Sequence, residues 1–404
     1  FCLLFVALFF ARAFYRMDLL TIGDYYHKRY NKPVELISSV AITASYLGWT
    51  SAQLTALGLV ISVLSGGDIT LNAGIVIGAL IVLGYTIWGG MWSVAMTDLF
   101  QSVVILVGLV AVAWLVGDMA GGAGKVVAAA AEAGKFEFWP KGGAKEWLAF
   151  AAAWMTLAIG SIPQQDVFQR VTSAKDEKTA IRGCLIGGGV YFCFAFVPIF
   201  IAYAALIIEP GYAKLFASED AREIQRILPN LILERTPLWA QVLFFGALLS
   251  AILSTASGAL LAPTALFTEN VIRPLAPRMG DKQFLLLLRV VLVAFTLAAL
   301  LFALNSKATM YEMVQNAYKV TLVSCIVPLA AGIFWRRANV PGALLSIVFG
   351  LGSWVVAEAV AADATVPPQL VGLAFSLFGM VMGSFVPHER AAAPAHHAHS
   401  AHKP

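Results

Sequence analysis

The segment that runs from Leu238-Trp239-Ala240-Gln241 through Ala251-Ile252-Leu253-Ser254-Thr255-Ala256-Ser257-Gly258 to Thr264-Ala265-Leu266 contains no charged side chain. A helix rises 1.5 Å per residue, so this stretch exceeds the roughly 20 residues needed to cross about 30 Å of hydrocarbon. Its apolar residues are continuous and do not alternate, which argues against the strand of a membrane barrel. Runs of the same kind recur near 1–15, 34–64, 70–92, 98–117, 147–165, 181–208, 284–304, 312–334, 340–361 and 368–386. The chain therefore reads as an all-α polytopic membrane protein with about eleven spans. Those at 34–64 and 238–266 are long enough to tilt or to project beyond the bilayer.

Composition agrees with this reading. Of 404 residues, 60% are hydrophobic and 12% charged, with a mean hydropathy of +0.80. A soluble domain carries about 25% charged residues, so much of the apolar surface here must face lipid. The net charge of +4 implies no nucleic-acid partner; what matters is where the charges fall among the loops. Cys2, Cys184, Cys193 and Cys325 lie in or beside apolar runs without paired spacing, and read as small buried hydrophobes.

Basic residues gather in alternate connections: Arg16, Lys28, Arg29 and Lys32; then Arg170, Lys175, Lys178 and Arg182; then Arg273, Arg278 and Lys282; then Arg336 and Arg337. Short basic loops stay in the cytoplasm, which orients the bundle in the plasma membrane with a cytoplasmic C-terminus. The connection around Met91–Thr97 is the exception, with no basic residue. The stretch from Glu209 to Arg235 mixes acids and bases and is expected to hold an external amphipathic helix. Residues 387–404, rich in Ala and His, lack large apolar side chains and read as a disordered cytoplasmic tail. The chain opens inside an apolar run, Phe1–Phe10, with no starting Met and no basic residue before it. That differs from a signal peptide and reads as an N-terminally truncated chain.

Polar groups at membrane depth are costly and direct attention to function. On a helix, Ala251, Ser254 and Thr255 share one face. Two hydroxyls and a backbone carbonyl are hard, neutral oxygen donors of the kind that suit Na⁺. The same hydroxyls also fit a purely structural role, bonding back to carbonyls one turn earlier. Asp98, in Met96-Thr97-Asp98-Leu99-Phe100-Gln101, is read either as a helix-start acid or as a carboxylate on a cation path. The string Gly160-Ser161-Ile162-Pro163-Gln164-Gln165-Asp166-Val167-Phe168-Gln169-Arg170 places helix breakers at membrane depth, the arrangement that forms binding sites in broken-helix transporters. Gln164, Gln165 and Phe168 are its candidate solute contacts; in the alternative reading Pro163 merely ends the span and Gln169-Arg170 marks the membrane surface. Trp49 and Gln53, one turn apart, are candidates to line the same cavity, Trp49 with a π-face for a cation. Tyr85-Thr86-Ile87-Trp88-Gly89-Gly90-Met91-Trp92 reads as an aromatic interface anchor with a glycine turn. There is no phosphate-binding Gly-x-x-x-x-Gly-Lys and no His-Glu-x-x-His, and the histidine ahead of the tail is the loop residue His27. No enzyme is implied.

Taken in order, Thr21-Ile22-Gly23-Asp24-Tyr25-Tyr26 with Lys28-Arg29-Tyr30, Tyr85–Gly90, Thr97–Gln101, Pro163–Arg170 and Leu253–Ser257 resemble the solute:sodium symporter family over residues 1 to 386. The resemblance implies an inverted five-helix-repeat core of the leucine-transporter type that works by alternating access around a midplane site. Core helices two to ten then fall at about 1–335, two extra helices at 340–386, and core helix one precedes Phe1. It further implies Na⁺ as coupling ion, held by the Ala251 carbonyl and the hydroxyls of Ser254 and Thr255, with Asp98 on the ion path. Solute contacts are implied at Ser161, Gln164, Gln165 and Phe168, and the partners are Na⁺, a small organic solute and the bilayer. Within the family the chain looks closest to the choline-transporter branch, but that branch has an aromatic at the position of Gln164. Gln164-Gln165 also departs from the Gln-Pro of proline transporters. A proton-coupled carrier and a membrane solute sensor remain the alternatives.

Overall fold

The computed structural model describes residues 1–217, 221–362 and 364–387, and within them the side chains other than those of 88–97, 215–217 and 221–222. The described residues form helices joined by turns, with no strand among them. The expected tail beyond 387, and the aromatic anchors Trp88 and Trp92, lie outside that description.

The chain begins with α1 (Cys2–Phe5), a π-helical turn at Val6–Phe10 and α2 (Ala11–Met17), which together make the expected first run. Asp18, at φ 49°, turns the chain away from the helix axis. Next comes α3 (Ile22–Arg29), whose start is a capping box: the Asp24 N–H donates to Thr21 Oγ1 over 3.1 Å, and the Thr21 N–H donates to the Asp24 carboxylate over 3.0 Å. Then α4 (Lys32–Leu64) opens with Asn31, whose side chain accepts from the Val34 N–H over 3.1 Å, and with Pro33 in the first turn, where its missing N–H costs nothing. Helix α4 is the spine of the molecule. Its most apolar window is 67% buried, against 17% for Asp98–Met119 and 22% for Asp281–Asn305. The outer spans turn Phe100, Trp114, Leu286 and Val356 outward, as lipid contact requires and as the surface of a soluble protein would not.

Helix α5 (Leu71–Met119) corrects the sequence reading. The runs 70–92 and 98–117 are not separated by a loop, because the backbone stays helical for 49 residues. The physical reason lies in the intervening sequence, which carries neither Pro nor charge before Asp98. Asp98 is thus inside a helix and does not cap one. The first half of α5 packs on α4 through Gly58, Gly74 and Gly78, and the second approaches Leu243 and Ala247 at Gly108. Short α6 (Ala123–Glu132) follows.

The predicted break at Gly160–Pro163 is present. Helix α7 (Ala144–Ala158) stops before it and α8 (Gln165–Thr172) restarts after it. The run 181–208 becomes α9 (Glu177–Phe194) and α10 (Phe196–Ile208), with a single turn residue between them. The mixed-charge stretch ends in α11 (Ile227–Arg235), which buries Ile227, Leu231 and Ile232 and ties Arg235 to Glu209 at 2.6 Å. Helix α12 (Leu238–Phe267) contains Pro263 and relaxes into a π-helical turn at Thr268–Ile272.

After α13 (Asp281–Asn305), the expected unbroken span at 312–334 is instead two helices, α14 (Met310–Ser324) and α15 (Ile326–Phe334), bent by 44°. Pro328 accounts for the bend, since it removes a backbone donor and crowds the carbonyl one turn earlier. The chain closes with α16 (Val340–Ala361) and α17 (Pro368–Ser384), an antiparallel pair whose backbones touch at Gly342, Gly350, Gly372, Gly379 and Gly383. Small residues at a membrane helix interface allow this approach, and Ser346 and Ser376 add a hydrogen bond of 2.8 Å. Among the described residues, six helices are long and apolar enough to cross a membrane, or seven with the bent pair. The remaining runs of the sequence reading appear as shorter pieces, such as the 15 residues of α7 and the 17 of α17.

A Cβ on Gly350 would lie 1.8 Å from the Val323 carbonyl oxygen and 2.9 Å from the Ser376 Cβ. Gly350→Ala is therefore expected to cost about 1–3 kcal/mol of stability through overpacking. A lowered midpoint of thermal unfolding in detergent checks this, and Gly352→Ala, with open space around it, is the control.

Candidate functional site

Two polar regions lie inside the bundle, and each depends on a helix that stops short. The first centres on α12. Ser254 donates a short hydrogen bond to the Asp98 carboxylate across the α5–α12 contact. Arg170, from α8, reaches the other Asp98 oxygen at 3.3 Å. Thr255 Oγ1 donates to the Ala251 carbonyl over 2.9 Å, and Ser257 Oγ to the Ser254 carbonyl over 3.0 Å. Ala251, Ser254 and Thr255 are all half-buried. The predicted ion ligands are thus together on one face, with Asp98 facing them from α5. The donor set is one carboxylate, two hydroxyls and a carbonyl, hard oxygens that fit Na⁺ and offer a transition metal neither imidazole nor thiolate. No cluster of three His, Cys, Asp or Glu able to hold a metal occurs among the described residues.

The second region surrounds the break between α7 and α8. Here Ser161 Oγ closes the open turn by donating to the Leu157 carbonyl over 2.6 Å. Thr321, from α14, donates to the freed Gly160 carbonyl over 2.6 Å, as an interrupted helix in an apolar medium demands. Gln164 is buried, and its Nε2 donates to Ser45 Oγ at 3.1 Å and Thr321 Oγ1 at 3.3 Å. Ser45 spends its own proton on the Ile42 carbonyl at 2.7 Å. Both hydroxyls are therefore acceptors toward Gln164, which fixes the orientation of the amide. Gln164 Oε1 is left without a partner. On α4, Tyr46 donates to the Asp166 carboxylate and receives the Asp166 N–H at 3.0 Å. Trp49 lies edge-on to Tyr318, with ring centroids 4.9 Å apart. Gln53 is half-buried one turn beyond Trp49.

Gln165 and Phe168 sit elsewhere. Gln165 Oε1 accepts the Ile22 N–H at 2.8 Å and its Nε2 donates to the Leu20 carbonyl at 3.4 Å, so it anchors α8 to the start of α3. Phe168 is fully buried and meets Phe14 edge-on at 5.1 Å. Sequence reasoning passed over Ser45, Tyr46, Asp166, Tyr318 and Thr321. The signal for Asp166 was available, because an acid beside a broken helix at membrane depth is costly unless it is used.

Helix α3 holds both breaks in place. Tyr26 donates to the Cys325 carbonyl at 2.8 Å, Tyr30 to Pro328 at 2.7 Å and Tyr25 to Leu329 at 2.9 Å. Arg29 adds Gly332 at 2.8 Å and Ala338 at 2.9 Å. Burial pushes the Tyr25 and Tyr26 hydroxyls well above their usual pKa, so both remain protonated donors. Gly332 is required there, since a Cβ would lie 2.1 Å from the Tyr25 hydroxyl. Below this, Asn270 at the end of α12 donates to Asp24 and Glu35, both at 2.8 Å, and accepts from Thr21 at 2.7 Å. Glu35 also has Lys32 and His27 at 2.7 Å each.

The sequence pattern of the Sodium:solute symporter family matches residues 1–350. This chain belongs to that family. Among curated relatives, the high-affinity choline transporter 1 of Caenorhabditis elegans is 25% identical over 353 residues, covering 85% of this chain and 60% of that protein. The sodium/pantothenate symporter of Haemophilus influenzae is 24% identical over 375 residues, covering 91% and 75%. The sodium-dependent multivitamin transporter of Oryctolagus cuniculus is 26% identical, covering 85% and 55%. The chain thus spans about 60% of the length of the choline-transporter relatives it matches. A solved structure of a Na⁺-coupled sialic acid symporter, substrate-bound and outward-open, superposes with a TM-score of 0.75 at 19% identity, covering 94% of this chain and 80% of that one. This likeness gives the chain the all-helical, leucine-transporter-type fold.

Replacing Gln165 with Leu strands the Ile22 N–H and is expected to cost about 1–3 kcal/mol. A lowered thermal midpoint in detergent checks this, with Gly352→Ala again as the control.

Proposed function

We propose that the protein is a sodium-coupled symporter that carries a small organic solute into the cell by alternating access. The observation that supports this most directly is the Asp98–Ser254 contact. It brings a carboxylate from α5 against the hydroxyl-bearing face of α12, in a chain of the sodium:solute symporter family. In this reading Na⁺ is held by the Ala251 carbonyl and the Ser254 and Thr255 hydroxyls, after Thr255 and Ala251 release each other. Asp98 supplies the charge along the path, and Arg170 neutralises it when the ion has left. The ion favours one of two conformations, and coupling follows from its differential affinity for them. A potential of 100 mV adds about 2.3 kcal/mol for each charge moved inward.

The solute is assigned to the region between Trp49, Gln53, Ser161 and Gln164, with Gln165 and Phe168 acting as supports. The transporter domain is taken as 1–386, with core helices two to ten at about 1–335 and a cytoplasmic tail from 387. The basic loops favour the plasma membrane with the C-terminus inside. Serine hydroxyls bound to a carboxylate also favour one second reading, proton coupling at Asp98, because the same pair can carry H⁺.

Ser254→Ala and Thr255→Ala are each expected to raise the Na⁺ concentration for half-maximal uptake about threefold to tenfold, from the loss of one ligand worth about 1 kcal/mol. The measurement is solute uptake into proteoliposomes containing the full-length protein, with Na⁺ varied at fixed pH. An unchanged sodium requirement in the double variant refutes the ligand assignment. Uptake driven by a pH gradient without Na⁺ establishes the proton reading.

A further inference from the structure

The polar region at the α7–α8 break contains an acid that the assignment above leaves unused. Asp166 stands in the first turn of α8, half-buried, and the Tyr46 hydroxyl donates to its carboxylate and accepts its N–H. Among the described residues no lysine, arginine or histidine pairs with it, in contrast to Asp98 with Arg170 or Glu35 with Lys32. A carboxylate at this depth is costly, and a counter-charge brought by a ligand offsets that cost.

A second observation points the same way. Gln164 is 3% exposed, yet its Oε1 has no partner. Its orientation is fixed, because Ser45 and Thr321 have committed their protons to the carbonyls of Ile42 and Gly160. Both Gln164 and Asp166 are tied to one turn of α4, through Ser45 and Tyr46. Trp49, one turn further along α4, packs edge-on against Tyr318 of α14. What this region leaves unsatisfied is therefore of one kind: a carboxylate without a counter-charge and an amide oxygen without a donor. Both attract a positive group, and both need hydrogens to accept.

We infer that this symporter selects solutes bearing a protonated amine that retains N–H hydrogens, with Asp166 as the charge-selecting residue and Gln164 Oε1 as the second acceptor. The inference rests on the symport reading and narrows its solute. A quaternary ammonium has the charge but no N–H to give Gln164 and Asp166, so it should bind less well than its unmethylated counterpart. Anions meet an uncompensated carboxylate and are disfavoured. Tyr46 holds Asp166 in position and is a positioning residue.

The test uses the full-length protein in detergent at saturating Na⁺, with binding read by calorimetry and by the shift in thermal midpoint. The panel pairs ethanolamine with choline and proline with its N,N-dimethyl form, and adds pantothenate and glucose. At least one N–H amine should bind, and at least tenfold more tightly than its permethylated partner. Asp166→Asn should weaken that amine about tenfold to a hundredfold, the scale of a lost charged hydrogen bond. Gln164→Leu should shrink the preference for the N–H form. The thermal shift produced by Na⁺ alone reports whether each variant is folded and leaves the ion site intact. If Asp166→Asn does not fold, the methylation ratio of the unmodified protein decides. The inference is overturned if no amine in the panel binds, or if a quaternary, anionic or neutral solute binds best. It is equally overturned if Asp166→Asn changes amine affinity less than twofold, or alters only the Na⁺ response. Amine binding that survives all of this but never leads to Na⁺-driven accumulation in proteoliposomes contradicts the symport reading instead.

Discussion

A backbone carbonyl inside hydrocarbon needs a donor, and a helix that breaks there exposes several at once. This protein breaks two helices at depth, and one short helix braces both. Tyr25, Tyr26, Tyr30 and Arg29 of α3 donate to carbonyls along α15 and just beyond it, while the backbone around Ile22 engages Gln165 at the head of α8. The freed carbonyl at Gly160 takes the Thr321 hydroxyl from the other bent helix. The two breaks are thus tied to each other and to α3.

The two polar regions follow from that arrangement. With α8 fixed by Gln165, its first turn places Asp166 toward Tyr46, and its last turn sends Arg170 to Asp98. One eight-residue helix therefore contributes to both polar regions. This is a direct physical route by which occupancy of one can bias the other, because α8 is a single rigid element between them.

Much of the fold was legible because hydropathy and helix breakers act locally. The apolar run at 238–266 and the Gly160–Pro163 interruption both appear where the residues put them. What was not legible depended on partners distant in sequence. Nothing near 91–97 reveals that the backbone there stays helical, since an uncharged stretch with two glycines suits a turn or a helix equally. The bend at Cys325 was signalled by Pro328, but an intramembrane Pro is tolerated in straight spans too once neighbours supply donors. In the site, Ser254 and Asp98 were legible as types of donor, whereas their direct contact joins positions 156 residues apart. Gln165 looked like a solute ligand for the same reason that it makes a good anchor: an amide both donates and accepts, and only the position of Ile22 decides which use is made of it.

Asn270 shows how narrow the tolerance of such a structure becomes. Its amide gives both hydrogens to carboxylates, Asp24 and Glu35, while its oxygen takes the Thr21 hydroxyl. An aspartate has nearly the same shape, but it would set three carboxylates against one another and turn two attractions into repulsions. A leucine would leave two acids short of a donor, and a histidine or lysine cannot offer the accepting oxygen. Of the twenty side chains, a short amide alone fits the local ledger of donors and acceptors. The π-helical turn after α12 is thus a place where few substitutions are tolerated, although it belongs to neither polar region.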